Sequence, residues 1–283
     1  MSRPIDLCFG GEQRVIAAYW VDGMVIDPGP ASCVERLLAQ LPGEPTAVLL
    51  THIHLDHAGA CGTLCSLFPE LRVYVHERGA PHLVDPTRLL ASAERLYGPG
   101  LGLLFGRVEP VPEARIVALK GGERVGRFDV DYAPGHAWHH VVYHDRLTGT
   151  AYVGDVAGVR IPPDEHVVAP TPPPEIDLER WFETLDQLAA REPAALALTH
   201  FGVVEAPEVG DHLARVRASL AELAELAQRC TREAFQRVLQ ERLRRVLRPE
   251  TLVRLEKAAP LDHLYLGLER YWRKRAEVKE SRP

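Results

Sequence analysis

The chain has 283 residues, with 39 acidic against 33 basic side chains and a formal net charge of −6. That balance leaves no global electrostatic footprint for nucleic acid, and no apolar run approaches the length of a membrane span. The N-terminal MSRPIDLCFGG shows no charged-then-apolar signal pattern, so a cytoplasmic protein is expected, with neither nucleic acid nor membrane as partner. Five cysteines, an odd number, argue against a disulfide framework in a chain this long. Cys61 and Cys65 share a helix face and read as small buried hydrophobes. The absence of asparagine and the presence of only two methionines fit a thermophile, although a GC-rich genome gives a similar bias.

In chain order, residues 5–9 read as a first strand. Strands over 15–20 and 24–26 flank Asp22-Gly23, a hairpin signal, and the second ends at Asp27-Pro28-Gly29. A helix over 31–41 carries Leu37, Leu38 and Leu41 on one stripe. The apolar run 47–50 reads as a buried strand that delivers Thr51-His52-Ile53-His54-Leu55-Asp56-His57. A helix over 57–67 and a strand over 72–76 follow, so the plan to this point is α/β. Residues 78–114 break the rhythm: one helix over 87–97, then a glycine-rich apolar segment, together read either as a lid over a site or as plain core packing. Strands over 114–119, 128–133, 140–145 and 151–155 come next. A stiff proline-rich loop holds Pro170-Thr171-Pro172-Pro173-Pro174, a helix covers 177–191 with Trp181 facing the core, and a strand over 194–198 leads to Thr199-His200-Phe201-Gly202. Amphipathic helices over about 207–229, 231–247, 249–258 and 261–277 close the chain. The organisation expected is a catalytic domain over 1–206 and a helical extension over 207–283, with a homodimer through those helices as one use of their apolar stripe.

Polar residues gather at the strand ends, where layered α/β folds place their ligand sites. His52 and His54 alternate along a strand end and lean toward one point; Asp56 and His57, where the backbone turns, face a second. Imidazole and carboxylate are the N and O donors that zinc, iron and manganese accept. Asp27, His136 after Pro134-Gly135, Asp155 after Gly154, and His200 complete the set.

The order Asp-Pro-Gly, Thr-His-x-His-x-Asp-His, Pro-Gly-His, Gly-Asp and Thr-His resembles the metallo-β-lactamase superfamily over residues 5–202, and within it the glyoxalase II-like hydrolases. The resemblance implies an α/β four-layer αββα sandwich with appended C-terminal helices. It implies two divalent metal ions, zinc first, with iron or manganese as alternatives. His52, His54 and His136 would bind one, Asp56, His57 and His200 the other, Asp155 would bridge both, and Asp27 would buttress the ligand loop. The reaction implied is attack of a metal-bridging hydroxide on a small thioester, ester or lactone, with Asp56 handling the proton. The third motif continues Ala137-Trp138-His139-His140 where Thr, Pro and Gly are common, and Phe201 follows the last histidine. Both departures alter the pocket wall and leave the ligands in place. Arg160, Trp138, His139 and Tyr97 are the candidate substrate contacts. A mononuclear iron persulfide dioxygenase and a phosphodiesterase are the alternative activities; a non-catalytic assembly protein is disfavoured because no ligand position is lost. The other histidines, among them His76, His82, His212 and His263, are expected to play surface or simple hydrogen-bonding roles.

Overall fold

The computed structural model describes residues 3–280, and two six-stranded sheets form its centre. The first runs β1 (Ile5–Asp6), β2 (Ala17–Val21), β3 (Met24–Ile26), β4 (Ala47–Leu49), β5 (Arg72–His76) and β6 (Ile116–Leu119) in spatial order. Its first three strands are antiparallel and β3 to β6 are parallel. The second holds β7 (Arg124–Val125), β8 (Phe128–Tyr132), β9 (Val141–Asp145), β10 (Thr150–Gly154), β11 (Ala195–Leu198) and β12 (Gly202–Glu205), with β12 and β7 at its edges. Here only β10 and β11 pair in parallel.

The helices are α1 (Val34–Leu38), α2 (Leu55–Ala58), α3 (Cys61–Leu67), α4 (Ala80–Val84), α5 (Thr87–Tyr97), α6 (Leu101–Phe105), α7 (Leu178–Ala190), α8 (Ala206–Arg229), α9 (Arg232–Val246), α10 (Pro249–Ala258) and α11 (Leu261–Glu280). The period-two alternation of the strands sorts side chains into layers. On β4, Ala47 and Leu49 face the second sheet while Val48 faces the helices around Leu37 and Leu64. On β10 and β11, Tyr152 and Ala197 face the first sheet, while Val153, Leu196 and Leu198 pack under Trp181, Leu185 and Leu220. Three apolar layers therefore separate four structural ones, the αββα sandwich. Tyr19, buried between the sheets, donates its hydroxyl to Leu198 O at 2.7 Å and so ties β2 to β11.

Several expectations change in detail. The helix expected over 31–41 is a 3-10 turn at Ala31–Cys33 followed by the short α1. The helix expected over 57–67 is broken at Gly59-Ala60 into α2 and α3. Gly59 is close to the chain at Pro30, where a Cβ would sit 3.1 Å from Pro30 Cα. The two-residue β7 and the four-residue β12 have too little sequence to show a period, and neither is evident from the sequence. The segment 78–114 is more helical than it reads. It forms α4, α5 and α6, with Leu83, Ala93, Phe105 and Val111 buried in the first sheet's outer core.

The C-terminal helices are fastened to the body. Thr171 donates its hydroxyl to Leu264 O at 2.9 Å, and α11 approaches the proline-rich loop so closely at Gly267 that a Cβ there would lie 2.0 Å from Thr171 O. Lys257 reaches Gly10 O at 2.8 Å. His212 on α8 is buried and donates Nε2–H to Ala157 O at 2.8 Å, in the segment after β10. Burial pushes its pKa down to about 4.

Gly267→Ala is expected to destabilise the fold by about 1–3 kcal/mol, because backbone must move to admit the methyl group. Gly210→Ala, on an exposed stretch of α8 with open space around it, should instead stabilise by up to about 1 kcal/mol. Chemical denaturation reads both, and an unchanged midpoint for Gly267→Ala would contradict the close approach. His212 gives a pH signature. Its folded pKa of about 4 lies below the ordinary 6.5, so its contribution is full above pH 6.5 and is lost as pH falls toward 4. In metal-free protein the wild type should lose on the order of 3 kcal/mol more than His212→Gln across that window.

Candidate metal centre

The parallel strands β3 and β4, and β10 and β11, end at the same edge of the sandwich, and the loops leaving them carry the polar residues. Asp27 follows β3 with a left-handed backbone, φ 47°. Its buried carboxylate takes four hydrogen bonds. Oδ1 accepts from Thr51 N at 2.8 Å, and Oδ2 accepts from Thr51 Oγ1, His57 Nδ1 and Thr199 Oγ1 at 2.7, 2.8 and 2.9 Å. One side chain thus fixes the loop after β4, the start of α2 and the end of β11.

These bonds also set the protonation of the imidazoles. Thr51 spends its only hydroxyl proton on Asp27, so His52 Nδ1 donates to Thr51 Oγ1 at 3.2 Å and Nε2 is left with a lone pair. His136 donates Nδ1–H to Pro170 O at 2.9 Å, His57 to Asp27, and His200 to Val15 O at 2.8 Å. In all four the lone pair is on Nε2, and all four point inward. Glycine makes room twice. At Gly154, φ 49°, a Cβ would lie 2.4 Å from Thr51 Oγ1; at Gly135, φ 135°, it would lie 2.4 Å from Trp181 Cα. Trp181, buried as expected, stands edge-on to His136 with ring centroids 5.5 Å apart.

Two donor clusters result: His52, His54, His136 and Asp155 in one, Asp56, His57 and His200 in the other, with the ligand atoms of each within 4.8 Å of one another. In the first, His54 Nδ1 lies 2.9 Å from His52 Nε2 and 3.0 Å from His136 Nε2. At most one proton is available for three converging nitrogens, so lone pairs face each other. In the second, His57 Nε2 and His200 Nε2 are buried without a hydrogen-bond partner, and so is Asp155 Oδ1, 3.1 Å from the first and 3.5 Å from the second. Asp155 Oδ2 is 3.4 Å from His136 Nε2, so its two oxygens face the two clusters. Asp56 Oδ2 is 3.4 Å from His200 Nε2.

The charge balance matches. Burial, then the neighbouring imidazoles, holds His52 well below the ordinary histidine range, and burial brings His136 to about 4, so both are neutral ligands. Burial lowers His57 too, but Asp155, Asp27 and Asp56 outweigh it and draw positive charge to that place. Asp56 is held ionised at about 2, burial being overcome by His57 and His200. Orphaned lone pairs beside uncompensated carboxylates are the condition a divalent cation relieves. The residues present fit two such ions.

The clusters form the floor of a cleft of about 470 Å³, which Asp56, His54 and Asp155 reach. Tyr97, Trp138 and His139, three of the candidate substrate contacts, line it. Arg160 does not; its guanidinium pairs with Glu208 at 2.8 Å, and the sequence expectation for it is corrected. The cleft's arginines are Arg78, Arg88 and Arg95. His140, which the sequence places beside the third motif, accepts at Nε2 from Asp155 N at 3.3 Å; sequence reasoning missed the C-terminal residues Pro260, His263 and Leu264 in the wall. His76 and His263 are buried rather than on the surface, the first stacked on Tyr132 and the second against Tyr97. One signal for the Asp27 partners was present: Thr precedes His in both Thr51-His52 and Thr199-His200.

Asp27→Ala is expected to cost about 3 kcal/mol or more, because it strands four buried donors. It should also weaken divalent-metal affinity by about 10–100-fold through loss of His57 orientation. Unfolding of chelator-treated protein isolates the first effect and competition with a chromogenic chelator reads the second; wild-type values in both would contradict the role of Asp27.

The model of the metallo-beta-lactamase superfamily matches residues 13–200. The metallo-beta-lactamase fold-containing protein ST1585 of the archaeon Sulfurisphaera tokodaii is 29% identical over 175 residues, 59% of this chain and 64% of that protein. Its crystal structure aligns with a TM-score of 0.63 at 25% identity, covering 76% of this chain and 84% of that one. A hydroxyacylglutathione hydrolase of Thermosynechococcus vestitus is 29% identical over 131 residues, 46% of this chain and 42% of the hydrolase. TTHA1623, solved in a di-iron-bound form, aligns with a TM-score of 0.54 at 27% identity, over 68% of this chain and 90% of that one. The chain therefore spans less than two thirds of the length of these curated relatives, while the family match runs from before β2 to His200 and takes in every strand-end donor: the chain belongs to the metallo-beta-lactamase superfamily, a family of metal-dependent hydrolases.

Proposed function

We propose that the protein is a dinuclear metal-dependent hydrolase that cleaves a small thioester, ester or lactone. The observation that carries this reading is the pair of donor clusters, joined by Asp155 and holding orphaned Nε2 atoms, at the floor of a mainly apolar cleft. His52, His54 and His136 would hold one ion, Asp56, His57 and His200 the other, and Asp155 both. Zinc is the proposed metal; iron or manganese suits the same N and O donors, and TTHA1623 holds two irons. Two divalent cations supply water acidified toward neutral pH and an electrophile for the substrate oxygen.

The chain's own groups do the rest. Asp56 is less buried than the histidines around it and faces the cleft as an ionised carboxylate, so it accepts a hydrogen bond from the attacking water and turns its lone pair toward the substrate. Asp27 keeps the His57 imidazole oriented throughout, and Pro170 O and Val15 O do the same for His136 and His200. Tyr97 and Trp138 present aromatic surface to the bound substrate and exclude bulk water. His139 is held by Ile53 N at 3.4 Å and by Glu175 at 3.5 Å, and it forms the side of the cleft next to His54. The completeness of the second cluster favours this reading over a mononuclear iron dioxygenase.

His54→Ala and Asp155→Ala are each expected to lower turnover of a model thioester by more than about a hundredfold. Metal content should fall with it, by about one ion for His54→Ala and further for Asp155→Ala, because Asp155 serves both clusters. Turnover at the wild-type rate in His54→Ala would show that the site is misassigned.

A further inference from the structure

The cleft has two chemically distinct zones. Between its floor and its mouth the walls are apolar: Leu89, Ala93 and Leu96 from α5, Phe105 from α6, and Pro260 and Leu264 from the junction of α10 and α11. Arg78, Arg88 and Arg95 also line it, and all three are exposed. Arg88 and Arg95 lie two turns apart on the same face of α5. Arg78 lies over the Trp138 ring at 5.3 Å.

None of the three belongs to an ion pair among the described residues. Among the described residues Arg237, Arg244 and Arg245 on α9 are likewise outside any ion pair; what sets Arg78, Arg88 and Arg95 apart is that they line the cleft. Among the described residues, the acidic members of the cleft lining are Asp56 and Asp155 in the donor clusters and Glu175. Glu175 is engaged by Trp138 N at 3.1 Å and by His139. The rim therefore carries three positive charges that no carboxylate pairs directly among the described residues; Arg88 feels Asp85 at longer range and Arg78 rests on Trp138.

We propose that the substrate is an amphipathic anion: an electrophilic carbonyl at the floor, an apolar segment along the α5–α11 walls, and an anionic group held by the arginine rim. This rests on the hydrolase reading and names the substrate class for it. A medium-length acyl group suits the apolar zone better than an acetyl group. The anion is a carboxylate or phosphate, carried either on the far end of the acyl chain or on the thiol or alcohol that leaves. The rim explains the α5 position: the helix turns Leu89, Ala93 and Leu96 inward and leaves Arg88 and Arg95 at the opening.

The test uses the metal-loaded full chain and three phenyl thioesters of one acyl length: octanoyl, neutral; suberoyl monothioester, with the anion on the acyl end; and octanoyl 4-mercaptobenzoate, with the anion on the thiol. At least one anionic compound should exceed the neutral one in kcat/KM by about tenfold. Arg88→Gln/Arg95→Gln should erase most of that advantage, and the anionic arm that responds identifies which end carries the charge. Acetyl thioesters should be poorer than octanoyl ones. Equal kcat/KM for all three compounds, unchanged in the variant, would overturn the proposal while leaving the hydrolase standing. Calorimetry with 7-oxooctanoate and 2-octanone, which carry a ketone and cannot be hydrolysed, separates the other failure. Tighter binding of the anion that weakens about tenfold in the variant, with no thioester turned over, supports the rim and refutes the hydrolase.

Discussion

The buried carboxylate of Asp27 is the constraint on which the site depends. A carboxylate taken out of water costs several kcal/mol unless its lone pairs are filled, and here a backbone amide, two threonine hydroxyls and an imidazole fill them. Those four donors come from the end of β4, the first turn of α2 and the end of β11, so satisfying one charge registers both sheets at the edge where the histidines emerge. The energetic need to pair Asp27 and the functional need to aim His57 are met by the same bond. The left-handed backbone at Asp27 follows from this, since the carboxylate must turn back over the strand end it has just left.

What the fold then does to the imidazoles is a matter of proton bookkeeping. Each of His52, His57, His136 and His200 gives its Nδ1 proton to a fixed oxygen, and each is left with Nε2 facing inward. The arrangement is costly as a protein interior, because buried lone pairs face one another with too few protons among them. It is favourable as soon as divalent charge is placed between them, and Asp155, with an oxygen toward each cluster, carries the matching negative charge. The apolar cleft above keeps water away from these electrostatics and strengthens them. The C-terminal helices belong to this story: Pro260 and Leu264 form part of the wall, and Gly267 and Thr171 hold α11 against the proline-rich loop.

Much of this was legible in the sequence because it lies at strand ends with strong local signals. The apolar run before Thr51, the Pro134-Gly135 turn before His136 and the Gly154-Asp155 ending each mark a strand stop followed by a donor, and the structure brings all seven donors and Asp27 to one edge. The strand over 72–76 and the helix over 87–97 have the bounds their periodicity indicates. Short elements were not legible: β7 has two residues, and β12 follows so closely on His200 that it reads as loop. Pairings between distant segments leave no local trace either. Arg160 looked like an anion receptor from its distance to Asp155, yet Glu208, forty-eight positions later, claims it. Arg88 and Arg95 carry no local signal, and only the tertiary placement of α5 shows that they open onto the cleft.

Elemental analysis of the protein, purified without a tag or chelator and under anaerobic conditions, tests the central claim most directly. Two filled donor clusters predict about two equivalents of divalent metal per chain, zinc or a redox-active substitute, with the first removed by chelation taking the activity with it. A single equivalent that stays at one when metal is supplied in excess would contradict the account, because the Asp56, His57 and His200 cluster would then hold no ion.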